Sequence, residues 1–302
     1  MPAESTITDR LRKAATIPPG SPVELGIGDD CAIYRPRGSA DDLLFTTDML
    51  VEGTHFIRVT HKPAELGRKA LARSLSDIAA MGGEPRFALV SLCVPVWASP
   101  KWTDQFFDGI LKLAAATGTI LAGGDLSHGD ILSCDVTVCG AVPRGNALRR
   151  DGARAGHEIY VSGLLGGAAL GLTTQKGKAW TRHKHPEPRL EPGRFIREKL
   201  RATAAMDLSD GLSLDLRRLC LASGCASVIS EPPRFPGATS EQALHGGEDY
   251  ELLFTVKPGT SVPALFDGLP LTRIGVITRG IPGTVFLGDS PLPALGYDHF
   301  VS

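Results

Sequence analysis

Aspartates recur in this sequence beside glycines and at the ends of apolar runs. They are Asp29 and Asp30 in GIGDD, Asp48 in TTDM, Asp77 in LSDIAAMGG, Asp125 in AGGD, and Asp207 with Asp210 in DLSDG. Taken singly, an aspartate beside glycine is usually a turn residue, and Ser209 or Asp210 could cap the helix predicted after it. Aspartates in apolar runs such as LLFTTDM and SLSDIAAMGG are different, because an unpaired ionised group there is costly. The set therefore predicts a cationic partner.

Divalent cations are the partner that this pattern favours. Lysine and arginine are scarce around these segments apart from Arg68, Lys69 and Arg73. Oxygen ligands without a nearby cluster of cysteine or histidine suit Mg²⁺ rather than zinc. Several Mg²⁺ ions in a pocket of carboxylates would bind a polyphosphate through the metal, which indicates an enzyme that uses a nucleotide.

The usual phosphate-binding motifs are missing. The sequence contains no G-x-x-x-x-G-K-[ST] loop, no G-x-G-x-x-G after a strand and no kinase-type catalytic set. GIGDD has the spacing G-x-G and no more, and its carboxylates would repel a bare phosphate. We therefore interpret it as a turn that holds metal, with glycines that allow close approach.

Composition excludes some classes of protein. The chain has 302 residues, 42% of them hydrophobic, and a net charge of -1, which fits two ordinary domains or one large one. With 32 basic and 33 acidic residues, no overall basic field attracts nucleic acid or an anionic membrane. No signal peptide and no run of 18 apolar residues is found, so we expect a cytoplasmic protein. The six cysteines form no CxxC pair and are predicted to be buried reduced thiols.

Mixed α and β elements are expected. The predicted strands are LLFTTDM, FALVSLCVPV, ILSCDVTVCGAV and EIYVSG, and the predicted helices are PAELGRKALARSLSDIAAMGG, KWTDQFFDGILKLAAATG and a segment after DLSDG that ends at Gly224. The charged, proline-bearing segment 175–193 is predicted to be an exposed loop. The connector VPRGNALRRDGARAG predicts a domain boundary near Gly145, with domains at residues 1–145 and 146–302.

Several blocks together resemble the thiamine-monophosphate kinase family. They are ELGIGDDCAIY, TTDMLVEGTHF, KALARSLSDIAAMGGEP, GGD, RRDGARAGHEIYVSGLLGGAALGL, MDLSDGLSLDLRRL, HGGEDYELLFTV and GYDHF, in the family's order and over nearly the whole chain. The resemblance implies direct, Mg²⁺-dependent transfer of the γ-phosphoryl group of ATP to thiamine monophosphate, the last step of thiamine diphosphate synthesis. It also implies the α+β, PurM-like fold of aminoimidazole ribonucleotide synthetase, with two domains and a homodimer formed through the N-terminal ones.

The resemblance also implies roles for individual residues. No residue is expected to act as a covalent nucleophile or a strong base, because the attacking group is already an anionic phosphate oxygen. Asp29 is expected to be a turn or supporting residue, since neighbouring side chains of an extended segment point to opposite faces. The implied metal ligands are Asp30, Thr46, Thr47, Asp48, Asp77, Asp125, Asp207 and Asp210; the ATP contacts are Gly124, Asp125, Arg150 and Ser209; and the substrate contacts are His55, Glu248 and Tyr297.

One block departs from the family pattern. The family commonly continues GGD with two threonines and an arginine, whereas Leu126, Ser127 and His128 follow Asp125 here. His128 can stand in the place of the arginine as a phosphate contact, although a histidine is neutral for much of the time near pH 7.

Other functions compete with this interpretation. One alternative is another ATP-using enzyme of the superfamily, of the aminoimidazole ribonucleotide synthetase or selenophosphate synthetase type. The latter would carry a reactive cysteine or selenocysteine near its N-terminus, where MPAESTITDRLRKAA has none. A protein that binds thiamine phosphate or nucleotide without catalysis, and a metal-dependent phosphatase, are further alternatives.

Overall fold

Two β-sheets organise the chain, and the computed structural model describes residues 4–300. The first sheet has the strand order β1-β2-β3-β6-β4-β5, and only β4 and β5 are parallel. Its strands are β1 (Val23–Leu25), β2 (Ala32–Tyr34), β3 (Asp41–Val51), β4 (Glu84–Val94), β5 (Ile120–His128) and β6 (Ser133–Pro143).

The second sheet has the order β14-β13-β9-β12-β7-β10-β8, with β11 paired to β12. Its strands are β7 (Glu158–Ser162), β8 (Ala204–Asp207), β9 (Ala226–Ile229), β10 (Leu252–Val256), β11 (Leu265–Phe266), β12 (Leu269–Thr278), β13 (Val285–Leu287) and β14 (Ser290–Pro291). Strand β7 shows that both faces of this sheet are buried, because Ile159 and Val161 join one apolar cluster and Tyr160 joins another.

Eight α-helices lie among residues 4–300. They are α1 (Glu4–Ala14), α2 (Pro63–Ala80), α3 (Pro100–Thr117), α4 (Gly167–Thr174), α5 (Gly177–Lys184), α6 (Leu190–Glu198), α7 (Leu212–Ser223) and α8 (Ser240–His245). Short 3-10 turns occur at Arg58–Thr60 and Arg150–Gly152. None of these helices is long and apolar enough to cross a membrane.

Helix α2 is central because it packs against both sheets. It begins at Pro63, where Glu65 accepts a hydrogen bond from the Lys62 backbone, and its apolar residues pack with α3 against the first sheet. Near its end, Ala79 and Ala80 join an apolar cluster of the second sheet. One helix therefore fixes the position of one sheet against the other.

The elements predicted from the sequence are confirmed, except for the segment 175–193. The loop prediction there is wrong, since this segment forms helix α5 and the start of α6. The error arose because charge was taken as a sign of exposure, whereas His183 is buried and Lys184 lies 2.6 Å from Glu65. All six cysteines are free; five are buried and Cys93 is partly buried.

Candidate active site

A cleft of about 920 Å³ lies between elements of the two sheets. Of the predicted site residues, the structure brings to this cleft Asp30, Thr46, Thr47, Asp48, His55, Asp77, Arg150, Asp207, Ser209, Asp210, Glu248 and Tyr297. It does not bring Gly124 or Asp125 there. Residues that lie far apart in the sequence thus share one cavity.

Three carboxylates form the centre of the cleft. Asp30 follows the glycine turn, Asp77 lies on α2 and Asp207 ends β8, and one oxygen of each lies within 4.8 Å of the others. Asp77 accepts a hydrogen bond from Thr46 on β3. Asp207 accepts one from Ser76 on α2, at 2.6 Å. These hydroxyl groups hold the carboxylates in place without neutralising their charge.

The electrostatics of these acids favour the binding of a cation. Burial, followed by repulsion from neighbouring aspartates, raises the pKa of Asp77 and of Asp207 well above the usual range. Burial also raises the pKa of Asp48, although Arg73 opposes that shift. Asp30 Oδ2 is buried and has no hydrogen-bond partner among residues 4–300. A hard divalent cation would satisfy this oxygen and remove the repulsion.

The turn GIGDD is fixed by the 3-10 turn at 150–152. The Arg150 backbone donates to Asp29 Oδ2 at 3.1 Å, and its guanidinium forms an ion pair with Asp30. Burial and the charge of Asp30 raise the pKa of Asp29 to about 7. Asp29 therefore supports the turn, as expected, and Asp30 reaches the carboxylate cluster. The two residues line the same cleft and both carboxylates lie near Arg150, so the expectation that they point to opposite faces is wrong.

Asp210 and Ser209 lie in the loop between β8 and α7. Neither caps α7, whose first residue follows Gly211. Asp215, inside the helix, holds the loop before it, since its Oδ2 accepts hydrogen bonds from the backbones of Asp210 at 3.1 Å and Gly211 at 3.0 Å. The Asp210 side chain instead forms an ion pair with Arg218.

Glu248 lies at the other side of the cleft. Its Oε1 is 2.9 Å from Lys69 Nζ, and its Oε2 is 3.2 Å from His183 Nδ1. Burial alone would raise its pKa, but Lys69 and then His183 outweigh burial and lower it to about 2. Glu248 has φ +66°, in the left-handed region, and its backbone donates to Ser209 O at 2.7 Å. The carboxylate is thus ionised and held by the backbone.

The rings of Tyr297 and His299, from the C-terminal segment, line the Glu248 side of the cleft. The His299 ring lies 5.0 Å from His55 and 4.8 Å from Tyr297, between ring centres. His55 Nδ1 accepts a hydrogen bond from the Val51 backbone at 3.0 Å. Burial and the nearby Arg73 lower the pKa of His55 to about 4, so the ring is neutral at pH 7. The result is an aromatic wall, with a neutral His55, beside the Glu248 carboxylate.

Gly124, Asp125 and His128 lie on β5, at the edge of the first sheet, and they are exposed. Gly124 has a structural reason to be glycine, because a Cβ there would lie 1.9 Å from Val90 O. Within one chain, these residues are outside the cleft.

Sequence reasoning missed several cleft residues, among them Arg73, Arg218 and His299. Helical spacing gave a signal for Arg73, since Lys69, Arg73 and Asp77 follow one another at intervals of four on α2 and so share a face. His299 lies in the GYDHF block that also supplied Tyr297.

The fold and the carboxylate cleft define a member of the aminoimidazole ribonucleotide synthetase class. The family model "AIR synthase related protein, N-terminal domain" matches residues 28–142. Over its length, the chain belongs to the thiamine-monophosphate kinase family, which confirms the predicted family and fold. The thiamine-monophosphate kinase of Escherichia coli K12 is 39% identical over 308 residues and covers 93% of each chain.

Two further relatives agree. The thiamine-monophosphate kinase of Bacillus subtilis is 36% identical, over 93% of this chain and 94% of that protein. A solved structure described as "AaThiL complexed with AMPPCP and TMP" matches with a TM-score of 0.85 and 32% identity, over 99% of this chain and 97% of the other.

Proposed function

We propose that this chain transfers the γ-phosphoryl group of ATP to thiamine monophosphate, giving thiamine diphosphate and ADP as the last step of thiamine diphosphate synthesis. The observation that carries the proposal is the single cleft that joins the aspartate cluster to Glu248 and the rings of His55, Tyr297 and His299. The first region suits metal and polyphosphate, and the second suits a cationic aromatic base. A related structure holds AMPPCP and TMP together.

Magnesium fits the aspartate cluster. Asp30, Asp77 and Asp207 would hold it, with Thr46, Asp48 and Asp210 around them. The hydroxyl of Thr47 instead donates to Asp135 at 2.8 Å, on the opposite face of β3. The unpartnered oxygen of Asp30 and the raised pKa values of Asp77 and Asp207 support this assignment. Bound Mg²⁺ would neutralise the polyphosphate and the charge that spreads over the transferring group.

The residues of this chain then bind and orient the two substrates. Arg150 and Ser209 are assigned to the nucleotide, and Glu248, His55 and Tyr297 to thiamine monophosphate. The acceptor phosphate is already an anion, so in-line transfer needs no strong base and no covalent intermediate. Trapping a phosphorylated protein during turnover would contradict direct transfer.

A homodimer is part of the proposal. The first sheet exposes apolar residues on its outer face, including Phe45, Met49 and Leu89, which supports a second copy as partner. Such a dimer gives Asp125 and Gly124 a role in nucleotide binding, at the cleft of the other copy. The domain boundary near Gly145 and a cytoplasmic location stay predictions.

Mixing two inactive variants tests the assignment of Asp125. Asp77→Asn and Asp125→Asn should each largely abolish turnover as purified homodimers. If Asp125 serves the other copy, exchanging subunits between them should restore about one quarter of wild-type activity, because half of the dimers then contain one intact site. No recovery after confirmed exchange would place Asp125 outside a shared site.

The function itself is tested by one assay. Purified protein is incubated with ATP, Mg²⁺ and thiamine monophosphate, and thiamine diphosphate is followed by chromatography. Thiamine diphosphate and ADP should appear in equal amounts. If none forms while a substrate of another superfamily member turns over, the proposal is wrong; release of phosphate from thiamine monophosphate without ATP would indicate a phosphatase.

A further inference from the structure

Arg73 lies at the boundary between the two sides of the cleft. It is on α2, four residues after Lys69, which contacts Glu248, and four residues before Asp77, in the aspartate cluster. Its side chain is 11% exposed and lines the cleft. The helix thus presents Arg73 midway between the substrate side and the metal side.

The other buried arginines of the cleft are already paired. Arg150 forms a close ion pair with Asp30, and Arg218 forms one with Asp210 and contacts Asp215 at 3.0 Å. Both arginines are thus held by carboxylates of the chain; Arg150, whose Nε also has no hydrogen-bond partner among residues 4–300, stays assigned to the nucleotide.

Arg73 is paired more loosely than these. Its Nη2 is 3.5 Å from Asp48 Oδ1, its Nη1 donates to Met49 O at 2.8 Å, and its buried Nε has no partner among residues 4–300. These contacts leave the Nε group without a hydrogen-bond partner and the Nη2 group weakly bonded, although Asp48, Glu248 and Asp77 act on the charge. The N–H groups are therefore available to an anion in the cleft.

The surroundings of Arg73 decide which anion this is. Its charge acts on Asp48 and Asp77 on one side and on Glu248 and Tyr250 on the other. In an in-line transfer, the donor phosphates lie at the metal side, and the acceptor phosphate must lie between them and the bound base. Arg73 occupies that intermediate position.

We propose that Arg73 binds the phosphate of thiamine monophosphate and makes the enzyme require a phosphorylated acceptor; this rests on the proposed function. A guanidinium presents paired N–H groups that match phosphate oxygens. An oxygen of the held phosphate attacks the γ-phosphorus of ATP, the new P–O bond forms, and the bond to the β,γ-bridging oxygen breaks. ADP leaves with that electron pair, and Arg73 transfers no proton.

Binding measurements on Arg73→Met test this. Thiamine monophosphate, unphosphorylated thiamine and AMPPCP are titrated calorimetrically into the full-length protein with Mg²⁺. The affinity for thiamine monophosphate should fall about 10- to 100-fold, whereas those for thiamine and AMPPCP should stay within about twofold. Arg73→Lys, which keeps the charge without the paired geometry, should recover part of the loss.

The matched control is Arg68→Met, on the same helix. Arg68 donates to Pro186 O at 2.6 Å and pairs with Glu187, outside the cleft. This variant should bind all three ligands as the wild type does. Thermal unfolding of Arg73→Lys and Arg73→Met shows whether each variant is folded; if only the lysine variant folds, its selective loss for thiamine monophosphate supports the proposal.

Three results would overturn the inference alone. The first is an unchanged affinity for thiamine monophosphate. The second is an equal loss of affinity for thiamine, which would mean a structural role for Arg73. The third is a loss of affinity for AMPPCP alone, which would assign Arg73 to the nucleotide. Failure of the wild type to bind thiamine monophosphate or to form thiamine diphosphate would overturn the proposed function as well, and that is measured before any variant.

Discussion

The aspartate cluster and the Glu251 site are two groups of buried acids that the chain treats differently. Glu251 is fully buried, and its carboxylate accepts hydrogen bonds from Arg189 at 2.8 and 2.5 Å and from Ser162 at 2.5 Å, with Arg182 as a further ion-pair partner. Burial alone would raise the pKa of Glu251, but Arg189 and then Arg182 outweigh it and lower the pKa. In the aspartate cluster, the pKa values of Asp77 and Asp207 are raised instead.

The difference lies in where the compensating charge comes from. At Glu251, the chain supplies two guanidinium groups and completes the site itself. At Asp77 and Asp207, it supplies mainly hydroxyl donors, from Thr46 and Ser76, and the compensating charge has to arrive from outside. Burial alone therefore does not distinguish a structural acid from a functional one, whereas the balance of charge around it does.

The largest effect should come from Asp77→Asn. Loss of a metal-facing carboxylate should lower turnover about 1,000-fold or more, while the fold survives because no core packing is removed. Steady-state assays at saturating Mg²⁺ and thermal unfolding measure both effects. Near-normal turnover would remove Asp77 from the metal site.

Glu251→Gln should have the opposite profile. It removes the buried counter-charge of Arg189 and one of the two near Arg182, which keeps Asp249 at 3.8 Å, so the free energy of unfolding should fall by about 3–5 kcal/mol. Urea unfolding measures the loss. Glu191→Gln, which removes the exposed partner of Arg194, is the control and should change stability by about 0.5 kcal/mol or less.

A matched pair of serines sharpens the contrast. Ser162→Ala removes a donor to Glu251 and an acceptor for the Leu252 backbone, so it should cost about 1–2 kcal/mol of stability. Ser76→Ala removes the donor to Asp207 and should mainly weaken Mg²⁺ binding, by about 10-fold. Calorimetric Mg²⁺ titration and urea unfolding of both variants test this; the same response from both would break the comparison.

The smallest effect is a pH dependence of stability, which has opposite sign for the aspartate cluster and for Glu251. Because the pKa values of Asp77 and Asp207 are raised in the folded chain, their contribution to stability is present at low pH and lost as the pH rises through the folded pKa values. Glu251 has a lowered pKa, so its contribution is lost as the pH falls.

Thermal unfolding with and without Mg²⁺ checks this dependence. Without Mg²⁺, the Tm should fall as the pH is raised above the usual titration range of aspartate, and Mg²⁺ should remove most of that fall. The same decrease with and without Mg²⁺ would mean that the aspartate cluster is not its cause.

Part of the site could be predicted from local sequence. Aspartates in apolar runs indicate a metal site, because the free-energy cost of burying an ionised carboxylate depends on the residues next to it. The role of Lys69 could not be foreseen, because its partner Glu248 is reached only through the packing of α2 against the second sheet. The helices of segment 175–193 could not be predicted for the same reason. The acidic partners of its basic residues lie elsewhere in the chain, as Glu65 does for Lys184.

The backbone hydrogen bond from Glu248 N–H to Ser209 O has a geometric consequence. A second hydrogen bond, from the Tyr250 backbone to Leu208 O at 2.9 Å, lies beside it. A Cβ at Gly247 would lie 2.7 Å from Ser209 O, so the two segments are in close contact there. If Glu248 binds thiamine monophosphate and Ser209 binds the nucleotide, as proposed, the main chain sets the spacing between the two substrates, as a fixed length rather than a sum of side-chain contacts. Side-chain substitutions there should change affinity, whereas inserting one residue would shift the two substrates apart by about 3 Å, beyond the reach of in-line attack.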